Sequence, residues 1–213
     1  PVAYLTGSQE FWSMTFKVTP NTLIPRHETE LIIETALELI PNDAPLKIAD
    51  LGTGSGIIAI CLQNERPNCT VFASDNNPDT LKTAKANAIA NQTNHIHFFT
   101  GSWLQPIHNI KFDCIISNPP YISHHEISLC SPETRHEPEQ ALFASKNGMA
   151  DILAIQKQSL PLLSPGGFLL LEHGFQQSER VQQAFQAHGF IEVRTVNDIA
   201  GNPRVTCGKA PNR

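Results

Sequence analysis

Residues 46–63 read LKIADLGTGSGIIAICLQ, and this stretch decides the fold. Residues 46–51 form a short apolar run of strand type, Gly52, Gly54 and Gly56 make a tight turn, and residues 57–64 continue at helical spacing until Pro67 closes them. Strand, glycine turn and helix in that order open a βαβ unit. Downstream, residues 69–74 read as a second strand. Asn77-Pro78-Asp79 then starts a helix to about Asn91, with a capping amide, a proline at the first helical position and an early acid. Strands over 96–100 and 112–117, a helix over 151–163, a turn at 164–167, a strand over 168–172, a helix over 176–188 and a strand over 191–196 continue the alternation. Upstream, residues 27–40 place Ile32, Ala36 and Ile40 beside Leu31, Thr35 and Leu39 as an amphipathic helix that Pro41 stops. This alternation specifies an α/β fold, a doubly wound, mostly parallel seven-stranded sheet with helices on both faces. Residues 204–207 follow too short a connection for a helical crossover and should pair as the one antiparallel strand. Residues 1–26, with Tyr4, Phe11, Trp12, Phe16 and Val18 around turn residues, suggest a β-hairpin segment ahead of a single domain at 27–213.

Composition narrows the partners. The chain has 213 residues with 15 Lys+Arg against 20 Asp+Glu, a formal charge of −5. That balance lacks the broad basic footprint of a protein that grips a phosphate backbone, so no stable nucleic-acid complex is expected. No apolar run approaches the roughly 18 residues of a membrane span, and no leader pattern is present, so the cytoplasm is the default location and no membrane contact is expected. The five cysteines are odd in number and scattered without a CxxC, which fits neither a disulfide framework nor a zinc site. The nine histidines, His124 and His125 included, lack the helical pairing with a carboxylate that metal ligation needs and read as surface residues; no metal is expected.

Three glycines straight after a buried strand let the backbone turn sharply and bring its amides and the helix start against a polar ligand. Asp75, at the end of the second strand and roughly 20 residues beyond Gly56, can bond both hydroxyls of a ribose. An acid at that distance serves dinucleotide and S-adenosylmethionine sites alike. The spacing here is GxGxG, and Asp50 before Leu51-Gly52 resembles the D-x-G-x-G-x-G loop of methyltransferases, which receives an amino-acid carboxylate and no pyrophosphate.

The second site is Asn118-Pro119-Pro120-Tyr121, at the carboxyl edge of the strand over 112–117. Pro119 keeps Asn118 out of the helical region, and two prolines without N–H groups leave a stiff, extended, acceptor-rich segment. The Asn118 side-chain oxygen and the Pro119 carbonyl can each take one N–H of a substrate amino group, and Tyr121 offers a flat face. An amide nitrogen is a poor nucleophile because its lone pair is delocalised; two acceptors that draw its hydrogens out of plane return density to nitrogen. Catalysis is then positioning and electrostatics, with no general base demanded.

With both motifs in place, the chain resembles the release-factor glutamine N5-methyltransferases along nearly its whole length. PVAYLTG (1–7), EFW (10–12), LIPRHETE (23–30), DLGTGSG (50–56), SNPPYI (117–122), EPEQAL (137–142), Gly148-Met149 and GFLLLEHG (167–174) are similar to that family in the same order. The resemblance implies a class I methyltransferase (Rossmann-like) fold and S-adenosylmethionine as donor, leaving S-adenosylhomocysteine. It implies as acceptor the glutamine of the Gly-Gly-Gln loop of peptide chain release factors. Carried over by residue, Gly52, Thr53, Gly54, Ser55 and Gly56 would hold the methionine part, Asp75 the ribose and Trp103 the adenine. Asn118 would lie beside the methyl group, and Asn118, Pro119, Pro120 and Tyr121 would bind the glutamine, with Asn118, Pro119 and Tyr121 catalytic. Where the family often has an acid before that aromatic, this chain has Ser102, so a hydroxyl or a water would take the acid's place at the adenine amine. Arg26, Glu28 and Glu30 lie in a family motif and read as a salt-linked brace. The family also carries a small helical domain before the PVAYLTG segment, so this chain is expected to be the catalytic domain with its hairpin linker, acting as a monomer.

Residues 122–150 show no clear periodicity and start at the second site, so they are expected to shape the channel by which a protein loop reaches the methyl donor. An N6-adenine DNA or RNA methyltransferase would use the same Asn-Pro-Pro-Tyr cradle, but would need a basic face and a target-recognition region. An idle cofactor-binding subunit would show a damaged site.

Overall fold

In the computed structural model, which describes residues 1–93, 95–107 and 109–212, the chain begins with a short helix, α1 (Val2–Thr6), and a hairpin of β1 (Ser8–Phe11) and β2 (Met14–Lys17) paired antiparallel. The hairpin matches expectation. The helix does not register in the sequence because five residues, ended by Gly7 at φ 73°, are too few to show a period. His108, one of the nine histidines, lies outside the described residues.

A 3-10 turn (His27–Thr29) leads into α2 (Glu30–Leu39), followed by β3 (Lys47–Leu51), α3 (Ile57–Glu65), β4 (Thr70–Asp75), α4 (Pro78–Ala90), β5 (Ile96–Thr100) and β6 (Phe112–Ser117). The Asn77 side chain caps α4, accepting from the Asp79 and Thr80 amides. The segment expected to be aperiodic holds 3-10 turns (His124–Leu129, Thr134–His136), α5 (Glu139–Leu142) and α6 (Ser145–Gly148). Inside α6, Lys146 and Asn147 are left-handed, which makes it a tight turn and no true helix. The chain ends with α7 (Ala150–Ser159), β7 (Leu163–Glu172), α8 (Ser178–Ala187), β8 (Ile191–Asn197) and β9 (Pro203–Lys209).

Two boundaries differ from expectation. The helix expected to reach residue 163 stops at Ser159 and tightens into a 3-10 turn over Leu160–Leu162, because Pro161 has no N–H to continue the ladder. The turn expected at 164–167 is a bulge inside β7. Phe112 faces Leu163 and Cys114 faces Phe168, so the extra residues bow out with Gly166 at φ 76°.

The seven strands lie in the order β5-β4-β3-β6-β7-β9-β8, all parallel except β9, which runs antiparallel to both neighbours. Strand alternation sorts side chains into two layers. Ile48, Val71, Cys114, Ile116 and Leu170 pack with Ile32, Ile33 and Ile60 on one face. Ala49, Leu51, Ile115, Leu169 and Leu171 pack with Ile152, Ile155, Val181 and Phe185 on the other. After β3 the chain builds β4 and β5 on one side, then crosses back to lay β6 on the other. The carboxyl ends of β3 and β6 therefore bound the crevice of a topological switch point, where open α/β sheets place ligands.

Candidate active site

Three strand ends meet at this crevice: β3 leads into residues 52–56, β4 ends in Asp75, and β6 leads into Asn118. The glycine loop is held by near neighbours. Gly52 and Thr53 donate their amides to the Ser74 carbonyl (2.8 and 2.9 Å), and Gly54 donates to Asp75 Oδ2 (3.0 Å). These amides thus serve the loop itself, whereas the sequence suggested amides aimed at a ligand. Beneath the loop, buried Asp50 accepts from the Thr53 hydroxyl (2.6 Å) and the Ala59 amide (3.1 Å). Burial pushes its carboxyl up to about 7, against the pull of those two donors.

What the loop offers the crevice is closeness. A Cβ on Gly52 (φ 69°) would come within 3.0 Å of the Trp103 ring, whereas nothing lies within 4 Å of the Cβ position at Gly54 (φ 57°). Trp103 is itself left-handed, and the Ser74 hydroxyl pins its carbonyl (2.7 Å). Asp75 Oδ1 accepts from the Asn77 amide (2.9 Å); burial raises its pKa even though backbone N–H groups favour the carboxylate.

Gly52, Gly54, Asp75, Trp103, Asn118 and Pro120 line one cleft. Ser102 also faces it. Thr53, Ser55 and Gly56 stand behind its wall: Thr53 and Ser55 are buried, and Gly56 packs against Ile60 and Ala84. The cleft fits a nucleoside bearing a short charged tail, with an indole for a planar base, an acid for vicinal hydroxyls, and glycines where the tail passes the backbone.

A second groove adjoins the first and is lined by Leu23, Arg26, Pro119, Tyr121 and Leu142; Asn118 belongs to both. Residues of the 122–150 segment, including Thr134 and Ala141, form one wall of it, as expected. Asn118 donates its Nδ2 to Thr29 Oγ1 (3.1 Å). Among the described residues, neither Asn118 Oδ1 nor the Pro119 carbonyl accepts a hydrogen bond. The Tyr121 hydroxyl donates to Glu172 Oε1 (3.4 Å), and burial raises the phenol far above its ordinary value, with the Glu172 charge adding to the effect. Burial likewise pushes Glu172 up to about 7, opposed by the Thr29 hydroxyl, the Arg204 charge and the Tyr121 hydroxyl.

Of the supports around the second groove, only Arg26 had an assigned role in the sequence. Arg26 forms an ion pair with Glu137, whose other oxygen accepts from the Ile24 amide (2.9 Å). This is the brace expected of Arg26; Glu30 instead lies near exposed His27 (3.9 Å). Gln177 donates to the Tyr121 carbonyl (2.8 Å) and accepts from the Gly174 amide (2.9 Å). Gly148, at φ 77°, passes so close to the Tyr121 carbonyl that a Cβ would collide with it. Glu137, Thr29 and Glu172 all lie in quoted family segments. A polar residue closing an apolar strand, as Glu172 closes 168–171, was the available signal.

The family model described as methyltransferase small domain matches residues 29–184. The chain is 44% identical over 210 residues to the release factor glutamine methyltransferase of Aliivibrio fischeri, covering 98% of this chain and 74% of that protein. It is 46% identical over 209 residues to that of Escherichia coli, covering 98% and 75%. Among solved structures, a methyltransferase from Pyrococcus furiosus superposes with a TM-score of 0.71 at 16% identity, covering 94% of this chain and 91% of that one. A T. thermophilus 16S rRNA N2 G1207 methyltransferase in complex with AdoMet and guanosine gives 0.69 at 16% identity, covering 95% and 49%. At such identities the structural likeness concerns the fold alone.

Proposed function

The chain belongs to the release factor glutamine methyltransferases, and from that premise we propose how its crevice transfers a methyl group from S-adenosylmethionine to a release-factor glutamine. S-adenosylmethionine supplies, when bound, a methyl group on a sulfonium, already a strong electrophile. Gly52 and Gly54 let its amino-acid end approach the backbone, Asp75 accepts from the ribose hydroxyls, and Trp103 packs on the adenine. Thr53, Ser55 and Gly56 act from behind the wall by holding the loop's shape. Ser102 stands where a hydroxyl, or a water on it, meets the adenine amine.

The acceptor glutamine enters by the second groove. Asn118 Oδ1 and the Pro119 carbonyl take its two amide hydrogens, which withdraws the nitrogen lone pair from conjugation and aims it at the first cleft. Pro120 stiffens this segment, and Tyr121 walls the groove. The reading rests on one observation above the others: Asn118 stands where the two cavities meet. The Gly-Gly-Gln loop is the acceptor segment in this reading, and the enzyme works as a monomer in the cytoplasm without a stable nucleic-acid complex. The formal charge of −5 supports the last point. An N6-adenine methyltransferase would need a basic face, which a formal charge of −5 does not favour.

Radiolabelled methyl transfer from S-adenosylmethionine to intact release factor tests the proposal, with the acceptor glutamine changed to glutamate as control. Asn118→Ala should lower transfer by about 10²–10³-fold, as removal of a positioned transition-state hydrogen bond does, while cofactor affinity stays within a few-fold. Label appearing in DNA and not in the release factor would overturn it.

A further inference from the structure

Two acids line the first cleft among the described residues, Asp75 and Asp151, and they are not alike. Asp75 is already engaged, Oδ2 by the Gly54 amide (3.0 Å) and Oδ1 by the Asn77 amide (2.9 Å). Asp151 has no such company. Burial raises its carboxyl above the ordinary value, and among the described residues no hydrogen-bond donor or cation holds it down. It stands in the first turn of α7, where an acid suits a helix start, but that role does not require its side chain to face a cavity. Its place along the cleft follows from the helix that carries it. Gln158, almost two turns further along α7 and so on the same face, accepts from the Leu104 amide at Oε1 (3.2 Å). That bond fastens this face of α7 to the residue after Trp103. At the opposite end of the same face, Asp151 lines the cleft together with Gly101, Ser102 and Trp103.

In the functional reading above, S-adenosylmethionine brings three sets of donors: the ribose hydroxyls, the ammonium of its tail and the amine of its base. Asp75 takes the first, and the tail passes Gly52 and Gly54 at the end of β3. The face of α7 that carries Asp151 is fastened instead to the turn that holds Trp103, the seat of the base. Resting on that reading, we propose that Asp151 is a specificity-determining residue of the cofactor site, its carboxylate accepting a hydrogen from the exocyclic amine of the base. The amine carries two hydrogens, so an acceptor at Ser102 and one at Asp151 do not compete. A carboxylate only accepts; it favours a 6-amino purine and repels a 6-oxo purine, which presents lone pairs at the same place. Packing on an indole supplies no such choice, because every purine has a flat face. Asp75 and Asp151 thus divide the nucleoside between them, one selecting the sugar and the other the base.

The test is calorimetry on the whole chain with S-adenosylhomocysteine and with S-inosylhomocysteine, its 6-oxo counterpart, alongside thermal unfolding. The wild type should prefer the adenosyl form by about 50-fold, the worth of a charge-assisted hydrogen bond. Asp151→Asn, whose amide can donate to a 6-oxo group, should bring the two affinities within about fivefold of each other. Asp151→Ala should weaken the adenosyl form by more than about tenfold and leave the inosyl form within about threefold. An acid that only steadied the start of α7 would, when replaced, lower the melting temperature and leave the preference as it was. That result, or a wild type that binds both forms equally, overturns the proposal while the functional reading stands. If the wild type binds neither form, both fall together.

Discussion

The loop at 50–56 and the segment at 118–121 sit side by side at one switch point, yet they are built in opposite ways. The glycine loop is held from nearby: Asp50 reaches Thr53 and Ala59, and Gly54 reaches Asp75. The segment from Asn118 to Tyr121 is held from afar, by Thr29, Glu172 and Gln177, with sequence separations of 89, 51 and 56 residues. Its groove is closed by an ion pair separated by 111. A short stretch of chain can specify a cradle that needs only backbone shape. The cradle proposed to present two acceptors is held by side chains brought from elsewhere.

Breaking a distant support should therefore damage the acceptor side and spare the cofactor side. Arg26→Ala leaves the fully buried Glu137 carboxylate with only the Ile24 amide. Stripping a buried acid of its partner costs about 3 kcal/mol, measurable by urea unfolding; a loss below about 1 kcal/mol would show that the brace is ornamental. The converse experiment is Asp75→Ala, which removes the proposed acceptor of two ribose hydroxyls. Cofactor affinity should weaken by roughly 50-fold, or about 2–3 kcal/mol for charged hydrogen bonds, while the KM for release factor is unmoved. Unchanged cofactor binding in calorimetry would dissolve the division of labour. Gln177→Leu strands the Tyr121 carbonyl and the Gly174 amide, at about 2 kcal/mol of stability. It should lower kcat with cofactor affinity intact, and equal losses on both sides would blur the comparison.

The smallest effect concerns Asp50. Its folded-state carboxyl, at about 7, keeps a proton that the unfolded chain releases near the ordinary carboxylate value. The folded state thus binds more protons between about pH 4 and 7, and stability falls as pH rises through that window. Glu172 contributes with the same sign. Asp50→Asn should make the change in melting temperature between pH 5 and pH 8 shallower without abolishing it; an identical slope would mean that Asp50 ionises as freely in the folded chain as in the unfolded one.

The same division explains what the sequence disclosed. Strands 96–100 and 112–117 and the Asn77 cap are legible because apolar runs, turn residues and caps act within a few residues. The helix expected through residue 163 overran because its apolar pattern continues past Pro161, whose missing N–H ends the ladder. Gly52, Gly54, Asp75, Trp103 and Asn118 could be named from their motifs and do line one cleft. Thr53 turns inward to donate its hydroxyl to Asp50, and Asn87 donates to the Ser55 carbonyl, a contact from 32 residues away. Thr29, Gln177 and Glu172 act only across the fold, so no local pattern reveals what they touch.

The ion pair of Arg26 with Glu137 also orders events in time. As the chain leaves the ribosome, the bonds of Asp50 to Thr53 and Ala59 and of Gly54 to Asp75 can form once that stretch is free, and short loops close fast. The hold on Ile24 and Arg26 must wait for Glu137, 111 residues later, and contacts of such separation form slowly. The glycine loop is thus an early product of synthesis and the acceptor groove a late one, while the cleft between them waits for Trp103 and Asn118.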